Sequence, residues 1–318
     1  KYRINQYAAM GILSKLYLNA EVYTGAAMWQ EAHDAADYVI TNGPYVLSTD
    51  YSVPNLGLRP GTDDPENLVG YAAVFGANNE DNPEIIWSVA FDEVTGGGMN
   101  FHHMTLHYSS QFTWNFTSQP WNGYVALEEF YNSYDSNDKR KANNFIVGEQ
   151  SDFGGSTIVD YSDAADPILN YTPFVNELEP NAQRDGGARL GKFSFKQFAR
   201  NELDNDYPIV RLGDLMLIRG EAKARAAGDW SLSLTDVNAI RDRAGVSELT
   251  TITAEEFLAE RGREMFMESS RRRDLIRFGE WGSAWWAKPG GQASYLEMMP
   301  IPTEQMETGT GLTQNPGY

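Results

Sequence analysis

The sequence predicts a mainly α protein, with a scaffold of helical hairpins, an irregular loop-rich region and a few short strands. Three observations predict it. Apolar residues recur at helical spacing near both ends of the chain. Gly, Asn, Asp and aromatic residues crowd the middle. The strand-like runs in that middle are short and isolated.

The first helix places Ala9, Leu13, Leu16, Ala20 and Tyr23 on one apolar face, and TGAA breaks it. A second helix carries Trp29, Ala32, Ala36 and Val39 and ends at Asn42-Gly43. The pair reads as a helical hairpin. Its length and small residues resemble a tetratricopeptide repeat, with an irregular bundle as the alternative. From Pro44 to Asp206, PEIIWSVAF and KFSFKQF read as strands. VALEEFYNSYD reads as a helix with Leu127, Phe130, Tyr131 and Tyr134 inward. A second hairpin follows, with Leu215, Ile218, Ala222 and Ala226, a Gly228-Asp229 turn, then Leu234, Val237 and Ile240, closing at Gly245. Thr253 and Glu256 form a capping box that opens a long helix through Met265 and Phe266 toward Arg277. The expected division is one domain over 1–318, its helical scaffold at about 1–44 and 207–285 and a loop-rich insertion at about 45–206.

Composition narrows the function. With 318 residues and 42% apolar content the chain builds a substantial core without staples. A net charge of −19 argues against nucleic acid and against docking of the folded surface on anionic lipid. The absence of cysteine removes disulfides and thiolate chemistry. No run reaches transmembrane length. The chain opens inside a helical pattern, KYRINQYAAM, which reads as a fragment whose upstream part is lost.

No hydrolase, metalloprotease, P-loop or dinucleotide motif is present. His102 and His107, with Asp92 and Glu93, are a conceivable zinc set, though their spacing fits no standard pattern and polar loop histidines are the simpler reading. The acidic run NNEDNPE, Asn78 to Glu84, is a candidate structural calcium site. No other cofactor is expected.

The richest segment is HYSSQFTWNFTSQPWNG, His107 to Gly123. Its rings follow no period and are interleaved with Ser, Thr, Asn and Gln. A sugar ring presents an apolar C–H face and a hydroxyl rim, so aromatic faces set among hydrogen-bonding groups suit it. The same rings would also pin a long loop to a scaffold, and composition leaves both readings open.

Several motifs carry a resemblance. They are Trp121-Asn122-Gly123 leading to a helix and to Asp138-Lys139-Arg140, then Arg211, Asp214, Leu217 and Glu221 in RLGDLMLIRGEA, RGREMFMESSRRRDLIRFGEW, and the terminal Gln314-Asn315-Pro316-Gly317-Tyr318. In these the chain resembles the SusD/RagB family of outer-membrane nutrient-binding lipoproteins. The family's N-terminal region and lipid-anchor cysteine are missing from it. The resemblance implies a non-catalytic cell-surface protein that captures an oligosaccharide or polysaccharide, or in some members a peptide. It implies delivery to a SusC-like TonB-dependent transporter, and membrane contact only through a lipid anchor outside this chain. It favours ligand contact by Trp114, with Tyr108, Phe112, Trp121, His107 and Asn122 beside it; Trp121, in a recurrent motif, also suits a loop-structural role. An unrecognised glycoside hydrolase and a helical-repeat protein-binding adaptor are the alternatives. The basic run SSRRRDLIRFG, with Arg271, Arg272, Arg273 and Arg277, is expected to pair with Glu264, Glu268, Asp214 and Glu221 and tie a late helix to the scaffold.

Overall fold

A computed structural model describes residues 2–59, 63–95, 98–160 and 167–318. The main helices are α1 (Gln6–Leu18), α2 (Trp29–Asn42), α3 (Leu212–Ala227), α4 (Leu234–Ala244), α5 (Ala254–Glu264) and α6 (Arg271–Arg277). Their ends follow local chemistry. The Asn5 side chain accepts from Ala8 N at 2.8 Å and caps α1. Gly228 and Gly245, at φ 68° and 74°, close α3 and α4 in the left-handed region that glycine enters without strain. The Thr253–Glu256 capping box opens α5.

Helix α2 packs on both α1 and α3, so segments far apart in sequence share one core. Ala32, Ala36, Val39, Leu215, Ile218 and Ala222 meet there. The predicted face of α1 is corrected. Leu13, Leu16 and Tyr23 are exposed, while Ala8, Gly11, Ser14 and Leu18 are buried. Close approach decides this: a Cβ at Gly11 would collide with Val210. Lys15, one residue beyond Ser14, reaches Asp214 at 2.7 Å. Small and ion-paired residues therefore take the place of Leu13 and Leu16 at the interface, beside Leu18.

Strands in the described residues form four two-stranded antiparallel ladders. One of them joins the two regions: Ile85–Val89 pairs with Tyr207–Arg211, which runs directly into α3. KFSFKQF contains no strand; the nearest is Arg189–Leu190. In VALEEFYNSYD only Glu128–Asn132 is helical, and Phe130, Tyr131 and Tyr134 pack edge-on around Phe145.

The predicted long helix is interrupted. α5 ends at Glu264, and Met267 and Ser269 adopt φ 62° and 57° before α6 begins. The turn between them swings Glu268 inward, where it meets Arg211 and Lys192, each at 2.6 Å. These contacts belong to a buried ionic lattice. Arg211 also reaches Glu84 at 2.8 Å and Glu264 at 2.7 Å. Arg243 binds Glu84 at 2.8 Å as well as Glu264, and Arg140 binds Glu260 at 2.7 Å and Asp138 at 2.8 Å. Burial alone would raise the Glu264 carboxyl, but Arg243, Arg211 and Arg140 hold it well below the ordinary carboxylate range. Breaking such a network from one side strands an unpaired charge and costs about 3–5 kcal/mol.

The basic run is corrected in part. Arg277 binds Glu221 at 2.7 Å and Asp274 at 2.8 Å, and so ties α6 to α3. Asp214 pairs instead with Lys15 and Arg261. Arg273 is exposed, and its one hydrogen bond among the described residues is a 3.4 Å approach to the Ser269 carbonyl.

Candidate functional site

The aromatic loop is tied down along its length. His107 N donates to Tyr171 Oη at 2.9 Å, and Thr117 N to the Ala199 carbonyl at 3.0 Å. Trp121, Asn122 and Gly123 donate their N–H groups to the carbonyls of His103, Leu106 and Met104. This Trp-Asn-Gly turn therefore has a backbone role, and Asn122 takes φ 56°, which asparagine tolerates.

Asn115, at φ 51°, ends the short helix Gln111–Trp114 and reverses the chain so that Trp114 and Phe116 both turn inward. The two rings stack at 5.7 Å and 16°, and Phe195 meets Trp114 edge-on at 5.2 Å. Trp114 is only 9% exposed and sits in a core with Leu106, Leu169, Tyr171 and Leu203. Its open edge borders a cavity of about 310 Å³ shared with Asn55, Arg59, Lys139 and Asn143. Arg59 lies over its ring at 5.7 Å. Trp114 is thus a core residue that offers only an edge to the cavity beside it.

His107 is buried too. Its Nε2 lies 3.1 Å from Asp160, and burial lowers its pKa despite that carboxylate. Tyr108 packs on His107 at 5.1 Å, with Arg184 over its ring at 5.5 Å. The Asn122 side chain donates to the Arg184 carbonyl at 3.0 Å. Trp121 is 46% exposed and leans edge-on against His103.

Phe112 points outward and is 60% exposed. Two rings missing from the sequence reading join it. Phe153 N donates to the Phe112 carbonyl at 2.9 Å, and Phe198 N to the Trp114 carbonyl at 2.9 Å. Phe153 and Phe198 rings lie 6.4 Å apart. Phe198 is 63% exposed and held at φ 60°, a conformation a bulky side chain adopts only under constraint. Phe112 and Phe153 border a cavity of about 450 Å³ with Ser109, Asn115, Asp152 and Thr157. Rings, hydroxyls and an amide thus line one concave surface, with no cation among its lining residues.

The side chains considered as metal donors are engaged with other groups of the protein. His102 is buried, donates to the Arg200 carbonyl at 2.8 Å and contacts His103; burial, with His103 beside it, depresses its pKa to about 3. Asp92 accepts from Val94 N and Thr95 N, and Glu93 pairs with Lys196 at 2.7 Å. In the Asn78–Glu84 run, Asn79 bonds the Asp206 backbone, Asn82 accepts from Ser48 Oγ, and Glu84 is taken by Arg211 and Arg243. Among the described residues no group of three or more His, Asp or Glu is placed to hold a metal ion.

Comparison with known proteins fits this architecture. A family model, SusD_RagB, describing the SusD family, matches residues 70–298. The chain belongs to the SusD family. It is 36% identical over 124 residues to the starch-binding protein SusD of Bacteroides thetaiotaomicron, a match spanning 36% of this chain and 22% of that protein. It is 26% identical over 294 residues to the SusD-like protein P25 of Formosa agariphila, spanning 80% of this chain and 53% of that relative. Among solved structures, a SusD superfamily protein from Parabacteroides distasonis superposes with a TM-score of 0.73 at 19% identity, covering all of this chain (100%) and 64% of the other. Surface glycan-binding protein A of B. thetaiotaomicron, in complex with laminarihexaose, superposes with a TM-score of 0.70 at 19% identity, covering 99% and 65%. The chain therefore spans roughly half or less of these curated relatives and about two thirds of these neighbours. Among the described residues no helix is long and apolar enough to cross a membrane.

Proposed function

We propose that this protein binds a glycan without cleaving it, through the surface formed by Phe112, Phe153 and Phe198. The observation that carries the reading is the exposure of Phe112, at 60%, on a cavity edged by Ser109, Asn115 and Thr157, with Phe198, 63% exposed, against the Phe153 ring that also lines it. Flat rings accept the C–H face of a sugar, and the polar groups satisfy its hydroxyls. Membership in a family with a starch-binding relative and a laminarihexaose-bound neighbour supports the ligand class. The surface offers Asp152 and no cation, on a chain of net charge −19, so a neutral glycan fits it better than a sulfated or uronic one.

Delivery to a SusC-like TonB-dependent transporter, from a lipid-anchored position on the outer membrane, completes the proposed role. The test is a panel of neutral α- and β-glucan oligosaccharides, laminarihexaose among them, with acidic glycans as controls, scored for both retention and product release. Retention of a neutral glycan without new reducing ends is expected. Product release would return the hydrolase reading, and retention of acidic glycans alone would overturn the neutral assignment.

A further inference from the structure

The run Arg271–Arg272–Arg273 stands apart from every other basic group near it. Arg261, Arg277, Arg211 and Arg243 are each held by carboxylates. The three consecutive arginines have only backbone carbonyls as hydrogen-bond partners. Arg271 donates to Leu258 O at 2.8 Å, Arg272 to Leu296 O and Glu297 O at 3.1 and 2.9 Å, and Arg273 to Ser269 O at 3.4 Å. Asp274, the nearest acid in sequence, is already bound by Arg261 and Arg277. No carboxylate of a described residue is within ion-pair distance of the run. Arg271 still feels the charge of Asp274, so Arg272 and Arg273, which have no ion-pair partner among the described residues, are the cations open to an external acid in this chain of net charge −19.

What surrounds them defines that partner. Arg272 lines two separate concavities. One, of about 510 Å³, is walled by Phe101, Phe130, Met265, Phe266 and Met267. The other, of about 380 Å³, is walled by Val22, Tyr23, Ile276, Met298 and Met299, with Arg273 and one acid, Glu297, among its lining residues. Tyr23 and Met299 are largely exposed, so this apolar surface has no cover within the described residues. Arg272 itself is braced over Trp281 at 4.9 Å. We infer that this ridge docks a polypeptide segment of apolar–acidic–apolar pattern, its two apolar side chains entering the flanking cavities and its carboxylate meeting Arg272 and Arg273. An anionic lipid surface is disfavoured, because the net negative charge of the whole chain opposes approach to an extended sheet of anions, while one carboxylate feels mainly the local arginines. Adaptable methionines suit a surface that accepts side chains.

This inference does not rest on the glycan reading. The test is selection of random displayed peptides on the immobilised protein, followed by affinity measurement with synthetic copies of the peptides recovered. Recovered sequences are expected to carry Asp or Glu between apolar residues, and both Arg272→Glu and Arg273→Glu should weaken them at least about tenfold. Arg273 is exposed and its one hydrogen bond among the described residues is long, so its variant tests the surface even if Arg272→Glu disturbs folding. Circular dichroism and melting confirm that each variant is folded. Recovery of no peptide, recovery of peptides without acidic residues, or equal binding to the variants would overturn the inference. So would arginine-dependent binding to phosphatidylglycerol vesicles, or arginine-dependent self-association, in place of peptide binding.

Discussion

The scaffold and the aromatic loop solve the same problem with opposite chemistry. Where α3, α4 and α5 meet the loop-rich region, charges are buried: Arg211, Arg243 and Arg140 lie among Glu84, Glu264 and Glu260. In the loop, rings are buried: Trp114 and Phe116 fold under and are closed by Phe195. Each device fixes an irregular segment that has too few backbone ladders to fix itself. The difference lies in what is left over. The ionic lattice consumes its charged groups internally, whereas the loop turns Phe112 outward while neighbouring strands of chain bring in Phe153 and Phe198. Rigidity below and open rings above are what a binding surface requires.

The largest expected break in this comparison is Arg211→Ala. It leaves Glu84, Glu264 and Glu268 facing one another without their shared cation and should cost about 3–5 kcal/mol in denaturant unfolding. An unchanged midpoint would mean the lattice is not a clamp. Acid sharpens the same point. Burial alone would raise the Glu221 carboxyl, but Arg277, with Arg225 and Arg261, holds it down to about 2 against an ordinary 4.5. Its folded value is depressed, so its contribution is complete above pH 4.5 and is lost as pH falls towards 2. On the order of 3 kcal/mol should disappear across that window, checked by urea unfolding at successive pH values. The smallest effect separates two arginines of one helix. Arg277→Ala should lower the melting temperature by several degrees, while Arg273→Ala should change stability by less than about 0.5 kcal/mol.

Much of the fold was legible because it rests on local signals. Gly228, Gly245 and the Thr253–Glu256 box end or begin helices by chemistry readable from a few residues. The face of α1 was not legible. Hydropathy favours Leu13 and Leu16, and nothing local reveals that Gly11 must admit Val210 or that Lys15 meets Asp214. The break after Glu264 carries no Gly or Pro; it follows from the inward demand of Lys192 and Arg211 on Glu268. In the candidate site, the aromatic segment stands out by composition, but composition does not tell which of its rings faces water. That choice turns on the left-handed Asn115 and on Phe153 and Phe198, which arrive from distant loops. Phe198 sat in a run read as a strand, which gave no reason to place it in water.

The central claim is that buried rings shape this surface and exposed rings use it. It is tested most directly by measuring, for Trp114→Ala and for Phe112→Ala with Phe198→Ala, both unfolding free energy and calorimetric affinity for the glycan the panel retains. Trp114→Ala should lose about 3–5 kcal/mol of stability, the effect of emptying an aromatic core site. The Phe112 and Phe198 variants should keep their stability within about 0.5 kcal/mol and each lose on the order of 1–2 kcal/mol of binding, roughly tenfold in affinity. Full affinity in the Phe112 and Phe198 variants, with binding lost in a stably folded Trp114→Ala, would contradict the account and return the site to the cavity beside Trp114 and Arg59.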